Sequence, residues 1–275
     1  MNKGKFDGIL LVTDLDGTLL KHDKSISKEN IEAIEYFKAN GGKFTIVTGR
    51  VPVAFAGIDK IVKPNAPIGC VNGGGIYDLE QEKLVWAQVA DRKILEFLAY
   101  ADEVMPEVSH QVNTTEKIWF TKNTEAMEYF RKATNVANLT CHYSEINEPV
   151  LKIVFSDLDA EKISKLKELI EKHPLMTEFD GVSSEPILYE VLPKGISKGV
   201  VIPKLCDMLG ISIERTVAVG DNNNDVTMLK TAKIGYAVAN ASDEAKKAAD
   251  RITVSNEESA IAKIVEELDR GVVTL

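Results

Sequence analysis

Two carboxylates one residue apart, Asp14 and Asp16, stand in the run Thr13-Asp14-Leu15-Asp16-Gly17-Thr18. The short apolar run Ile9–Val12 precedes them. At a strand end such a pair can divide one reaction: Asp14 attacks an electrophile, and Asp16 serves as general acid and then base. The plain alternative is a capping Asp and a turn Asp ahead of glycine. Thr48-Gly49-Arg50 offers a hydroxyl and backbone N–H groups that can hold phosphate oxygens, or only a strand-to-helix turn. Lys198 follows a helix start at Gly195-Ile196-Ser197, where a cation beside a helix N-terminus suits an anion; its ordinary alternative is a solvated surface lysine. Gly220-Asp221-Asn222-Asn223-Asn224-Asp225 sets two acids four apart with amides between them. These oxygen donors suit a hard cation such as Mg2+, although the D-x-D-x-D-G loop and distal Glu of an EF-hand are missing. Gly73-Gly74-Gly75 lacks the Gly-Lys-Ser/Thr of a P-loop and does not match G-x-G-x-x-G. It reads as a tight turn, with Asn72 before it as a substrate-side residue or part of that turn.

The elements that must position these groups alternate. Ile9–Val12, Phe44–Val47 and Ile68–Val71 read as buried strands. A helix from Ser27 carries Ile31, Ile34 and Phe37 on one stripe, with Gly41 after its end. Strand, helix, strand implies crossovers and a parallel sheet. All four polar clusters follow a strand end or open a helix, and that edge of an open parallel sheet is where ligands bind. The texture returns near the C-terminus: a helix N-capped by Ser197, strands Thr216–Val219, Ile234–Val238 and Ile252–Val254, and a last helix capped by Asn256 with Ile261, Ile264, Val265 and Leu268 inside it. Pro203 lies within the helix that Ser197 opens, and an interior proline costs roughly 3 kcal/mol, so a bend or a late start is expected there.

Between these halves the pattern changes. Asp91–Val104, Glu125–Ala133 and Ala160–Lys172 read as helices, and Leu84–Ala87, Ile118–Phe120, Val150–Phe155 and Ile187–Leu192 as strands. The expected fold class is α/β, with a core in two parts, 1–80 and 191–275, and an inserted α+β domain at 81–190.

Composition bounds the function. In 275 residues, 33 Lys and Arg face 42 Asp and Glu for a formal charge of −9, which argues against a general nucleic-acid binder. A small anionic substrate needs only one local cation. No apolar run reaches the roughly 18 residues of a membrane span, and Ile9–Val12 is too short for a signal-peptide core. Cys70, Cys141 and Cys206 form no zinc spacing or disulfide framework, so a reducing cytoplasm is expected.

Taken in series, Asp14-Leu15-Asp16-Gly17-Thr18, Thr48-Gly49-Arg50, Lys198 and Gly220-Asp221-Asn222-Asn223-Asn224-Asp225 resemble the haloacid dehalogenase superfamily of phosphatases, and more closely its Cof-type branch with a type IIB cap. Asn72-Gly73-Gly74 resembles that branch's Asn-Gly-Ala stretch, with Gly74 a departure. Gly195-Ile196-Ser197-Lys198-Gly199, Ala239-Asn240-Ala241 and Ala249-Asp250 also resemble it. Between Asp16 and Thr48 there is room for little more than one helix, so the insertion between Asn72 and Lys198 resembles a C2 cap.

The resemblance implies a Rossmann-like core with a C2B cap and Mg2+-dependent hydrolysis of phosphomonoesters. Asp14 would be the nucleophile that forms an aspartyl-phosphate, and Asp16 the general acid and base. The Asp14 side chain, the Asp16 backbone carbonyl and the Asp221 side chain would hold Mg2+. Thr48, Gly49, Lys198 and Asn224 would bind phosphate, with Arg50 and Asn72 on the substrate side and Asp225 orienting Lys198 or a metal-bound water. Small phosphorylated metabolites would be the partners: sugar phosphates or cofactors such as pyridoxal phosphate or flavin mononucleotide, with no nucleic acid or membrane. The cap would set specificity through residues such as Trp119, His142, Tyr143, Tyr189 and Glu190. Trp119, set in Ile118-Trp119-Phe120, reads rather as a core aromatic, and His142 with Tyr143 reads at least as well as a surface turn. His22, His110 and His173 read as solvent-facing or structural, and Met127, Tyr129 and Phe130 as helix core and rim. A phosphosugar mutase shares the covalent intermediate and differs in its acceptor. A phosphometabolite-sensing module without turnover is disfavoured by the intact Asp14 and Asp16 pair.

Overall fold

Leu10–Thr13 is buried along its whole length, which a strand covered on both faces requires. It is the pivot of a five-stranded parallel sheet in the order Arg251–Ile252, Ile234–Ala237, Thr216–Gly220, Leu10–Thr13, Lys43–Ile46. The computed structural model describes residues 4–55 and 57–275. The chain falls into two units. The first holds the residues up to Gly49, Gly57–Val85 and Ser197–Leu275; the second holds Arg50–Ala56 and Trp86–Ile196. The sequence expectation for the insertion is 81–190; the contacts divide at Trp86 and Ile196 and add Arg50–Ala56.

In the first unit, the helix Lys28–Ala39 begins where the Ser27 hydroxyl accepts the Asn30 N–H at 3.2 Å. Ile34 and Phe37 are buried, and the Asn30 amide oxygen accepts the Ala262 N–H of the last helix, Ala260–Asp269, at 2.9 Å. That joint fixes the crossover between Leu10–Thr13 and Lys43–Ile46.

Three expectations need correction. The third strand, Ile68–Cys70, is not a full member of the five-stranded sheet; it pairs antiparallel with Gly75–Asp78 in a three-stranded sheet and joins the main sheet through a parallel bridge from Val47 to Gly69. The turn at Val71–Gly73 folds the chain back before a longer ladder can form. The helix Lys198–Leu209 starts on time and runs through Pro203. Proline there gives up the bond to the Gly199 carbonyl, and buried Val201, Ile202, Leu205 and Cys206 hold the helix by packing. Ser197 occupies the N-cap position without a side-chain bond. The last helix is not capped by Asn256: Ser255 and Glu258 form a capping box around a short turn, and Asn256 is buried, donating to the Leu20 carbonyl at 2.9 Å.

The second unit is built on a six-stranded sheet in the order Phe179–Glu185, Leu188–Pro193, Val150–Ser156, Ser109–Thr114, Ile118–Lys122, Leu139–Thr140. All pairs are antiparallel except the last. The helices Glu96–Val104 and Ala160–Glu171 contribute Phe97, Leu98, Leu166 and Ile170 to an apolar cluster with Val112, Phe155 and Tyr189. Strand alternation sends Gln111 and Glu190 to the opposite face, both across from Val154. Glu190 is buried and ion-paired with Lys152 at 2.5 Å, and it also accepts the Ser184 hydroxyl at 2.7 Å. Buried His110 is tied to Thr121 and Asp102 at 2.7 and 3.3 Å, and Lys122 braces Asp102 at 2.6 Å. Burial, against the pull of Asp102, holds that imidazole below its ordinary pKa.

Candidate active site

The parallel ladder carries past the strand ends. The Asp14 N–H donates to the Val219 carbonyl at 2.8 Å, the Val47 N–H to Thr13 at 2.9 Å and the Thr48 N–H to Gly69 at 3.0 Å. Asp14, Thr48 and Asp221 therefore emerge side by side at the carboxyl edge of the sheet, where the chain leaves the central strand in one direction and returns from the other.

Lys198, the first residue of its helix, reaches this edge. Its ammonium lies 2.6 Å from Asp14 Oδ1 and 2.6 Å from Asp225 Oδ1, and all three side chains are buried. The second Asp225 oxygen accepts the backbone N–H groups of Asp221 and Asn222 at 2.9 and 3.0 Å. Asp225 thus closes its own loop while aiming Lys198 at Asp14. Gly17 has φ +81°, and a Cβ there would fall 2.5 Å from Asp221 Oδ2, so only glycine lets the Asp14–Thr18 loop approach Asp221. The next residue uses that approach: Thr18 Oγ1 donates to Asp221 Oδ1 at 2.6 Å.

Asn72 comes in on a strained turn. Val71, Asn72 and Gly73 have φ of 56°, 53° and 95°, a backbone state that is costly for a β-branched valine. It aims the Asn72 amide oxygen at Asn224 Nδ2, 3.1 Å away. A Cβ on Gly49 would lie 2.9 Å from the same oxygen, so Thr48-Gly49, Asn72 and Asn224 share one small neighbourhood.

The electrostatics are unbalanced. One oxygen from each of Asp14, Asp221 and Asp225 lies within 4.8 Å of the others, and Lys198 is the ammonium set among them. Burial first, and then the charge of Asp225, push the Asp14 carboxyl well above the usual carboxylate range, against the pull of Lys198. The same two causes raise Asp221 to about 6, with the Thr18 bond opposing them. Three acids against one ammonium leave a negative excess with only oxygen donors, the setting that suits a hard divalent cation. The acidic group can hold a metal ion.

Asp16 lies outside that acidic group; its carboxylate pairs with Lys24 at 2.9 Å. Arg50 clusters with the second unit, where its guanidinium donates to the Ala54 carbonyl at 2.8 Å. Among the cap residues singled out by sequence, Tyr189 is fully buried in the apolar cluster, with its hydroxyl where a Cβ on Gly181 would fall. Trp119 and Tyr143 pack partly against the same cluster, and exposed His142 caps a surface turn through Ser144. Sequence reasoning gave no role to Thr18, Lys24 or Asn240. Asn240 donates to the Gly17 carbonyl at 2.9 Å and accepts the Asn256 N–H at 3.0 Å. The signal for Thr18 was its place in the Asp-Gly-Thr run; a lysine in a loop eight residues after Asp16 gave none.

An α/β core interrupted by an α+β insertion, with a buried aspartate and lysine at the end of its central strand, defines an α/β enzyme with an inserted domain. Residues 11–265 match the haloacid dehalogenase-like hydrolase family, and the chain belongs to it. It is 28% identical to the 5-amino-6-(5-phospho-D-ribitylamino)uracil phosphatase YcsE of Bacillus subtilis, over 93% of this chain and 94% of that protein. It is also 28% identical to the pyridoxal phosphate phosphatase YbhA of Escherichia coli, over 93% and 97%. A solved haloacid dehalogenase-like hydrolase from Bacteroides thetaiotaomicron superposes with a TM-score of 0.83 at 25% identity, over 94% of this chain and 99% of that one. The subclass IIB sugar phosphatase BT4131 superposes at 0.84 and 24% identity, over 96% and 100%. The insertion is consistent with the subclass IIB cap. Among the described residues, no helix is long and apolar enough to cross a membrane.

Proposed function

We propose that the protein is a Mg2+-dependent phosphatase of small phosphomonoesters that works through an aspartyl-phosphate on Asp14. One observation carries the reading: a buried carboxylate at the end of the central strand, held by a buried lysine, beside two further acids whose charge calls for a cation. Asp14, Asp221 and the backbone carbonyl of Asp16 would hold Mg2+, which when bound favours ionised Asp14 and offsets the repulsion between carboxylate and phosphate.

In the first step a carboxylate oxygen of Asp14 bonds to phosphorus as the bond from phosphorus to the ester oxygen breaks. Asp16 gives its proton to the departing oxygen, so a neutral alcohol leaves. In the second step water gives a proton to Asp16 and bonds to phosphorus. The bond from phosphorus to Asp14 breaks, inorganic phosphate leaves, and both aspartates return to their starting states. Lys198 offsets charge on the transferring group, and Asp225 keeps its ammonium aimed. Thr48, the Gly49 N–H and Asn224 bind phosphate oxygens, with Asn72 orienting Asn224; Arg50 serves on the substrate side.

The names of the relatives, which act on a phosphoribityl uracil, pyridoxal phosphate and a sugar phosphate, support small phosphorylated metabolites as the substrate class. The test is phosphate release from a panel of such esters with and without Mg2+. Release that depends on Mg2+ and is lost in Asp14→Asn is expected. Full activity in the chelated protein or in Asp14→Asn would overturn the reading.

A further inference from the structure

Lys24 stands in a loop built to hold it. The Lys21 N–H donates to the Ser25 carbonyl and the Lys24 N–H to the Lys21 carbonyl, each at 2.9 Å. Asp23 Oδ1 accepts both the N–H and the hydroxyl of Ser25, at 2.9 and 2.5 Å. The loop is tethered to a distant segment, because the His22 N–H donates to Glu257 Oε1 at 2.8 Å. At the tip Lys24 has φ +65°, a left-handed state that crowds any Cβ and that glycine would occupy without cost. What lysine adds there is its ammonium, and the ammonium lies 2.9 Å from Asp16 Oδ1.

Stability does not account for this arrangement. The pair is open to water, with 49% of the Lys24 side chain and 29% of the Asp16 side chain exposed. An exposed ion pair contributes less than left-handed backbone at a non-glycine residue costs. Here the strain is held at the residue whose ammonium meets the Asp16 carboxyl, as strained backbone often is beside functional groups.

We propose that Lys24 is a positioning residue for Asp16: it holds one carboxyl oxygen and so fixes the rotamer that presents the carboxyl to the departing ester oxygen. The inference rests on the phosphatase reading, in which Asp16 gives its proton to that oxygen as the bond to phosphorus breaks. Its demand falls on esters whose leaving group must be protonated. An alkyl alkoxide needs the proton; a nitrophenolate leaves without it.

The experiment compares kcat/KM, which reports steps through departure of the alcohol, for an alkyl phosphate and for p-nitrophenyl phosphate. The proteins are wild type, Lys24→Met, Lys24→Gly and Lys24→Arg, each with Mg2+. General acids contribute about 10²–10⁴-fold, and partial misplacement is expected to raise the aryl-to-alkyl ratio about tenfold in Lys24→Met and Lys24→Gly. Lys24→Arg should return the ratio most of the way to wild type. Lys24→Gly relieves the backbone and should melt no lower than wild type while still losing alkyl preference, which a merely structural lysine would not do. An unchanged ratio in Lys24→Met and Lys24→Gly, or a fall in melting temperature that tracks the loss, would overturn the proposal. Wild-type protein that hydrolyses neither ester would instead refute the phosphatase reading.

Discussion

Replacing Lys198 with methionine keeps most of the apolar stem and removes the ammonium with its charge. Burial alone would lower the ammonium's pKa, but Asp14 and then Asp225 outweigh it and hold the group well above the ordinary lysine value. The charge is therefore present throughout the accessible pH range, and two buried carboxylates depend on it at 2.6 Å each. Breaking a buried pair by removing one partner costs about 3–5 kcal/mol, because the remaining charge is left uncompensated. Each kcal/mol moves the melting of a chain of this size by about 2 °C, so the metal-free variant should melt about 6–10 °C lower. Added Mg2+ should recover more of this loss than it adds to wild type, since the site is then more negative by one charge. Calorimetry of both proteins with chelator and with Mg2+ makes the comparison. A metal-free Lys198→Met protein melting within about 2 °C of wild type would refute the view that Lys198 is the counter-ion of a buried acidic site.

Other outcomes follow from the same geometry. Burial and the charge of Asp225 push Asp221 up to about 6 in the folded protein, from an ordinary value of 3.8. A carboxyl raised in this way destabilises the fold when ionised, an effect fully present above about 6 and gone below the unfolded value. A cation reverses that cost. The melting shift produced by Mg2+ should accordingly be large at pH 8 and small at pH 5; equal shifts would contradict the assignment of Asp221 to the metal. Thr18→Val removes a bond that opposes the rise of Asp221. By titration calorimetry near neutral pH it should weaken Mg2+ binding at least about tenfold, with Thr18→Ser close to wild type; unaltered affinity in Thr18→Val would show that the bond does not orient Asp221.

Much of the first unit was legible because its signals are local. Leu10–Thr13 is apolar and ends in two aspartates, and the Ser27 cap and the Ile34 and Phe37 stripe mark the next helix. The sheet edge then follows from topology. The second unit hid three of its strands, Ser109–Thr114, the two-residue Leu139–Thr140 and Phe179–Glu185. Ser109–Thr114 is buried at every position yet holds one apolar residue, Val112. Its polar side chains find partners within the strand and beyond it, as when Gln111 donates to Asn113 at 3.1 Å and His110 meets Thr121 at 2.7 Å, and hydropathy cannot report that. Phe179–Glu185 contains Gly181, which sequence rules read as a strand breaker; the structure places the Tyr189 hydroxyl against it. At the candidate site, Asp14, Asp221 and Lys198 were candidates by type and position, each with a plain alternative, and the structure brings Lys198 to Asp14 and groups the acids. Lys24 was not, because its meaning lies in a backbone angle and a contact across a loop. Pro203 and Asn256 misled for the opposite reason: local rules allowed a late helix start and gave a cap, whereas the helix begins at Lys198 and Asn256 is buried against Leu20.

The covalent step proposed at Asp14 can be tested directly. The protein is mixed with a phosphomonoester carrying radiolabelled phosphate and quenched in acid within the turnover time, and the labelled peptide is mapped. The account predicts an acid-stable, hydroxylamine-sensitive label on the peptide containing Asp14, absent from Asp14→Asn and persisting longer in Asp16→Ala, where water lacks its base. Label on another residue, or steady phosphate release from Asp14→Asn, would contradict it.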